Sequence, residues 1–150
     1  MTNQPSIRIG GASGYWGESD MALPQFLNDK SLDYIVFDYL AEITMSILAR
    51  AREADSSLGY ATDFVDAVLA PNLVQIANQG VRIISNAGGV NPEACAEAIR
   101  KHIADKKLSL KVAVILGDDL LPQLGSLAEQ GPVEMFSQEP FPDASKIASV

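Results

Sequence analysis

The sequence predicts an α/β fold, a Rossmann-like three-layer sandwich with a mostly parallel sheet of four to five strands. Two observations carry this prediction. Short apolar runs rich in β-branched residues alternate with longer stretches of helical period, which is the pattern of βα units. The length of 150 residues suits one domain with a buried core. We therefore expect residues 1–150 to form a single α/β domain.

Four apolar runs are predicted to be strands that are buried on both faces, as is typical of a parallel sheet. They span residues 7–11, 34–38, 81–85 and 111–116, and residues 148–150 are typical of the start of a fifth strand. A parallel strand is normally followed by a helix that covers it, and no such helix follows residue 150. We therefore expect the chain to be the N-terminal portion of a longer protein.

Helical periodicity predicts two helices between the second and third strands, at residues 40–55 and 63–78. Pro71 is expected to end or kink the second of these helices. The helix after the third strand has the clearest start signal, because Asn91 can cap it and Pro92 suits its first position. We expect that helix to run to about residue 107.

The charge balance excludes several classes of partner. The chain carries 11 Lys and Arg against 19 Asp and Glu, which gives a formal net charge of −8. Nucleic acids and anionic membrane surfaces require clustered Lys and Arg, so we expect neither as a partner. The chain has one cysteine, Cys95, no signal-peptide pattern at its start and no apolar run that could span a bilayer. A cytoplasmic location is therefore expected.

Ligands bind open α/β sheets beyond the carboxyl ends of the strands, so the turns at those ends are candidate binding sites. The first turn contains Gly11, Gly14 and Tyr15. Residues 12–17 have the spacing of the dinucleotide-binding fingerprint with Ala in place of its first Gly, and Asp38 lies near the position of a ribose-binding carboxylate. One interpretation is a dinucleotide-binding oxidoreductase module. The other is a glycine-rich turn that connects strand to helix or approaches a different ligand.

Carboxylates form a second candidate site. Asp38 and Glu42 stand at i and i+4, and they share a helical face if a helix begins where the second strand ends. Asp118 and Asp119 follow the fourth predicted strand, so we expect these acids to converge. Such a cluster supplies general acid and base groups or binds a hard cation such as Mg²⁺. Helix capping is the alternative role of Asp118 and Asp119.

The turn after the third strand is the most informative of the strand-end turns. Gly88 and Gly89 permit close backbone approaches, and Asn86 ends a buried strand with an amide that needs partners. Asn91 starts a helix whose N-terminus attracts anions. We expect these four residues to hold a carboxylate or carbonyl group, with helix capping as the alternative for Asn91.

The strand-end motifs, taken in order, also carry a family resemblance. They occupy residues 9–17, 32–42, 59–60, 83–92 and 117–119. Together they resemble the N-terminal part of the acyclic terpene utilisation (AtuA-like) family. The resemblance implies a role in bacterial catabolism of citronellol- and geraniol-type terpenes through branched acyl-CoA intermediates. It carries over no assigned catalytic residue, and the greater length of family members also indicates a longer protein.

The leading hypothesis is thus a protein of acyclic terpene or related branched acyl-CoA or carboxylate catabolism. Its partner would be a small-molecule carboxylate or acyl-CoA metabolite, oriented by the amides and glycines of the third turn and acted on by the acids. Cofactor and metal stay open at this stage, as does a homo-oligomer. The alternatives are the dinucleotide-binding module and a non-enzymatic regulatory or assembly subunit that docks through its last strand.

Overall fold

The computed structural model describes residues 6–149, which divide into two compact units. The first unit ends at Val114 and the second begins at Ile115. The sheet and the longer helices belong to the first unit, so the candidate site at the strand ends can be examined within it. The single-domain organisation expected from the sequence stays a prediction.

The described part of the first unit alternates strands and helices, as predicted. The strands are β1 (Ile9–Ser13), β2 (Tyr34–Phe37) and β3 (Arg82–Ser85). The helices are α1 (Ala22–Asn28), α2 (Glu42–Ala54), α3 (Ala70–Gln79) and α4 (Pro92–Asp105), and a π-helical segment (Phe64–Leu69) leads directly into α3. The mixed α/β class is therefore confirmed.

Pro71 lies in the first turn of α3, where the π-helical segment gives way to α-helix. A proline cannot donate to the carbonyl four residues earlier and its ring crowds that carbonyl. The wider π-helical turn before it relieves this crowding, and the Asn72 side chain donates to the Val68 carbonyl oxygen over 2.8 Å. The proline therefore changes the type of helix at this point and does not end it.

The three strands form one parallel sheet in the order β1, β2, β3. In register, Tyr34 of β2 faces Ile9 on one side and Arg82 on the other. The pairing of β1 with β2 is irregular between Gly11 and Ser13. Because the strands are parallel, their carboxyl ends all meet at one edge, which places the turns after β1, β2 and β3 side by side.

One face of this sheet is buried and the other is open. Ile35 and Phe37 are buried on the helix side, whereas Ile9 is 63% exposed and Ile84 is 51% exposed on the other side. The strands lie in the sheet in the same order as in the chain. Each right-handed crossover between them therefore places its helices on the same face of the sheet. Accordingly α1 packs on β1 and α3, and α3 packs on α4. The sequence predicts a third layer that would bury the second face of the sheet, and residues 6–149 do not form this layer.

The fourth and fifth strands expected from the sequence are also not formed in the described chain. Residues 111–116 pair with no strand, and Ile115 is 93% exposed. The Arg100 guanidinium, which donates to the Val112 carbonyl oxygen over 3.3 Å, holds part of this segment beside α4. A β-branched run becomes a strand only when an edge strand offers it hydrogen bonds, and neither edge of this sheet does so. Residues 148–149 are not a strand, and residue 150 lies outside the described residues.

Aromatic rings form the centre of the core beneath the sheet. The Phe64 ring lies edge-on to Phe37 and Tyr39, with ring centroids 5.3 and 5.4 Å away, and Phe37 stacks with Tyr39 at 6.2 Å. Such pairs add to the gain from burying their area. Leu23 and Leu27 of α1 complete the buried cluster. The cluster fixes the backbone at the carboxyl end of β2, where Asp38 follows.

Cys95 is a buried residue of α4, and we predict that its thiol is unreactive in the folded chain. Burial raises the pKa of the Cys95 thiol to about 11 from an ordinary value of 9.0. A thiol-disulfide reagent at pH 8 should therefore label native protein at least about 100-fold more slowly than urea-unfolded protein, because the reaction needs the thiolate. The thiol of the unfolded chain loses its proton at a lower pH than the thiol of the folded chain. The free energy of unfolding is therefore unaffected by this group below pH 9, and it falls as the pH rises toward 11. Rapid labelling of the native chain would contradict this placement, and Cys95→Ala should lessen the alkaline loss.

The second unit contains short elements. A 3₁₀ turn (Leu121–Gln123) leads into α5 (Leu124–Gln130), and a second 3₁₀ turn lies at Ala144–Lys146. Val133 and Pro140 form an isolated antiparallel bridge. Across residues 6–149, no helix combines the length and the apolar composition that a membrane crossing requires.

Candidate functional site at the carboxyl edge of the sheet

Asp38 and Asn86 lie together where β2 and β3 end. The Asn86 Nδ2 amide donates to Asp38 Oδ1 over 2.8 Å, and Asn86 Oδ1 accepts the backbone N–H of Tyr39 over 2.8 Å. Asp38 Oδ1 also accepts the N–H of Leu40 at 3.3 Å. The register of the parallel strands brings these residues together although they are 48 positions apart. Two of the predicted site residues are therefore in direct contact.

Hydrogen bonds hold Asp38 in its ionised form. Donation from the Asn86 side chain, and then from the Leu40 backbone, lowers the pKa of the exposed Asp38 carboxyl below its usual 3.8. A carboxylate with a lowered pKa is a weak general base near neutral pH, but it is a permanent acceptor and a fixed negative charge. The chemistry open to Asp38 is thus to orient a donor or to repel an anion.

Glu42 does not share a helical face with Asp38. Helix α2 begins at Glu42, and residues 38–41 before it have no helical structure, so the condition for that pairing is not met. Glu42 is exposed in the first turn of α2, where a carboxylate complements the helix dipole. Its backbone carbonyl accepts the hydroxyl of Ser46 at 3.0 Å.

The glycine turn after β1 is open to solvent, and one of its backbone N–H groups is already bonded to a carboxylate of the chain. A side chain at Gly11 or Gly17 would meet no atom within 4 Å, and Tyr15 is exposed. The backbone N–H of Gly14, however, donates to Glu18 Oε2 over 2.6 Å. Helix α1 begins only at Ala22 and has 7 residues, so it does not open directly from the glycines. Both features disfavour a pyrophosphate at this turn.

The turn after β3 uses its polar and glycine residues for packing. The Asn91 side-chain amide donates to the carbonyl oxygens of Ser56 and Leu58, at 3.0 and 2.7 Å. Asn91 precedes α4 as predicted, but its side chain does not cap that helix. A methyl group at Gly88 would lie 2.8 Å from the Pro92 side chain, and one at Gly89 would overlap Leu48. These three residues therefore anchor the loop, and Asn86 is the member of this turn that lies exposed beside Asp38.

Asp118 and Asp119 belong to the second unit. Asp119 Oδ1 accepts the backbone N–H of Leu121 over 3.0 Å, which is the local turn that precedes α5. The expected convergence of these acids with Asp38 stays a prediction. Among residues 6–149, no three Cys, His, Asp or Glu side chains are grouped as metal ligands would be.

The chain matches a known protein family. The family model described as acyclic terpene utilisation family protein AtuA matches residues 7–149. The chain belongs to the AtuA family. Searches of curated proteins and of solved structures found no match. Membership connects the chain with acyclic terpene utilisation in general. The resemblance inferred from the strand-end motifs is thereby confirmed.

The chain also contains a polar arrangement that sequence reasoning missed. Trp16 Nε1 donates to Asp63 Oδ1 over 2.6 Å, linking the glycine turn to the start of the π-helical segment. Trp16 packs against the core and Tyr39 is buried beside it in the same cluster. Burial, and then the nearby Asp63 charge, raise the pKa of the Tyr39 hydroxyl to about 12. The 47 positions between Trp16 and Asp63 carry no motif, so only the fold reveals the contact.

Proposed function

We propose that this AtuA-family chain takes part in acyclic terpene catabolism by binding the acyl thioester of a branched intermediate at the Asp38–Asn86 pair. One observation supports the proposal most strongly. The Asn86 amide is fixed by Tyr39 and Asp38, and its second N–H has no partner within residues 6–149. A fixed amide donor at the carboxyl edge of a parallel sheet suits a ligand carbonyl.

The charge of Asp38 favours a thioester over a free carboxylate. A thioester carbonyl is neutral and accepts the Asn86 N–H without a penalty, whereas a carboxylate in the same place meets the ionised Asp38. Asp38 also holds one Asn86 N–H, which leaves the other directed to the ligand. In this proposal Asp38 is a positioning and selecting residue, and Glu42, Asp118 and Asp119 are the candidates for proton transfer.

Affinity measurements with a matched pair of ligands test this proposal. The N-acetylcysteamine thioester of citronellic acid presents the acyl group without the phosphates of coenzyme A, and free citronellate is its charged counterpart. We expect calorimetry to show preferential binding of the thioester. In Asp38→Asn the preference should shrink severalfold, because the exposed charge that repels a carboxylate is removed.

Glu53→Gln is the control for the loss of one negative charge, since Glu53 is exposed on α2 and should leave the preference unchanged. Equal affinity of the wild-type chain for acid and thioester would refute the proposed role of Asp38. Saturable binding of neither ligand would refute the acyl site.

A further inference from the structure

A cleft of about 400 Å³ lies between the turn after β1 and the π-helical segment. Its walls include Glu18, Ser19, Asp20, Tyr39, Asp63 and Val68. We call it the acidic cleft. Apart from Gly17, at the end of the 12–17 fingerprint, none of the site residues predicted from the sequence lines it. Tyr39 enters it from the opposite side of the chain to Asp38, since Tyr39 is buried and Asp38 exposed.

Tyr39 brings to the acidic cleft a hydroxyl that has no partner among residues 6–149. Its side chain is only 3% exposed, and its ring is held by Phe37 and Phe64. None of the hydrogen bonds formed by residues 6–149 reaches this hydroxyl, yet no buried side-chain oxygen of these residues lacks a partner, so the hydroxyl keeps a small surface open to the cleft. It is therefore free to bond a ligand that enters the cleft.

The charges of the cleft define the partner. Three lining residues are acids, Glu18, Asp20 and Asp63, and none of the lining residues is basic. Glu18 and Asp63 each accept one bond from the protein, through the Gly14 N–H and the Trp16 indole, and so retain further lone pairs. An anion would be repelled here, and a donor of several hydrogen bonds with a positive charge would be favoured.

The described chain offers no grouped set of metal ligands, so an organic cation fits better than a metal ion. Ala67 and Val68 of the π-helical segment add a small apolar wall. A volume of about 400 Å³ accommodates a short alkyl chain together with its polar head. The cleft thus combines hydrogen-bond acceptors, negative charge and a strip of apolar surface.

We propose that the acidic cleft binds a primary alkylammonium ion. Its N–H groups donate to Asp63, to Asp20 and to the phenolic oxygen of Tyr39, while the alkyl stem lies against Ala67 and Val68. This site is separate from the acyl-thioester site and selects a cation, whereas the acyl site selects a neutral carbonyl group. The two proposals therefore stand or fall independently.

Titration of the 150-residue chain with n-butylammonium chloride at low ionic strength tests the site, with sodium chloride at equal concentration as the reference. Two-dimensional NMR should show saturable shifts around Asp20, Tyr39 and Asp63. Tyr39→Phe keeps the ring and removes only the unpaired hydroxyl, so it should fold normally and bind about tenfold more weakly. Asp20→Asn should weaken binding similarly, because Asp20 is exposed and its loss leaves the core intact.

Asp105→Asn removes the same charge from the exposed end of α4 and should leave affinity unchanged. n-Butanol has the same stem without the charge and should bind at least about tenfold more weakly than the ammonium ion. Unchanged affinity in Tyr39→Phe or an absence of saturable shifts with n-butylammonium would overturn the proposal. Equal binding of n-butanol would also overturn it, in favour of a site for neutral alcohols.

Discussion

Gly89→Ala should destabilise the first unit by about 3–4 kcal/mol, the largest effect of any single methyl group that we predict. Gly89 has φ of +53°, a conformation that costs a residue with a Cβ roughly 1–2 kcal/mol. The added methyl would also overlap the Leu48 side chain and lie 2.7 Å from the Gly59 carbonyl oxygen. Overpacking of this kind adds roughly 1–3 kcal/mol. Chemical denaturation measures the total.

Gly80→Ala is the control that separates backbone strain from collision. Gly80 has a similar φ of +70° at the end of α3, but a Cβ there would meet no atom within 4 Å. We expect Gly80→Ala to cost about 1 kcal/mol, the backbone strain by itself. Equal losses for the two variants would contradict the close packing of the turn after β3 against α2.

Asn86→Asp should measurably destabilise the fold at neutral pH. The new carboxylate retains an oxygen for the Tyr39 N–H but places a negative charge against Asp38 in place of a donated hydrogen bond. The variant loses a hydrogen bond to a charged group and gains a like-charge contact, and both changes are unfavourable. Repulsion raises the pKa of one acid in the folded state, so stability should recover as the pH falls and be lost as it rises through that pKa.

The exchanged double variant, Asn86→Asp with Asp38→Asn, is the decisive companion. It restores one amide and one carboxylate in contact, now on opposite strands, and should recover most of the lost stability. A double-mutant cycle measures this coupling directly. Additive losses in the double variant would show that Asp38 and Asn86 do not interact as described.

The sequence contains enough to predict the local elements and the family, but not how many layers cover the sheet. Periodicity located the three strands and the helix that begins at Pro92, because these follow from local pattern. The apolar character of Ile9 and Ile84 predicts two buried faces, yet one face is open. An apolar residue records a tendency to be buried and does not specify the partner that buries it.

The candidate site shows the same division between local pattern and fold. Asn86 and Asp38 could be predicted to meet because the ends of parallel strands share an edge. The sequence suggests a site role equally strongly for Asn91, Gly88 and Gly89. In the fold, however, the Asn91 amide bonds Ser56 and Leu58. The two glycines leave room for close packing, in the case of Gly89 against Leu48. The Trp16–Asp63 bond and the place of the Tyr39 hydroxyl at the acidic cleft depend on how the π-helical segment packs, which no short motif encodes.

The most direct test of the central claim is to locate the acyl thioester on the chain. In a two-dimensional NMR titration with the N-acetylcysteamine thioester of citronellic acid, the side-chain Nδ2 signals of Asn86 and the backbone signals of Asp38 to Leu40 should shift and saturate together. The same titration of Asp38→Asn should show a weaker response. Saturable shifts confined to other parts of the chain, with the Asn86 amide unmoved, would contradict the assignment of this edge of the sheet as the acyl site.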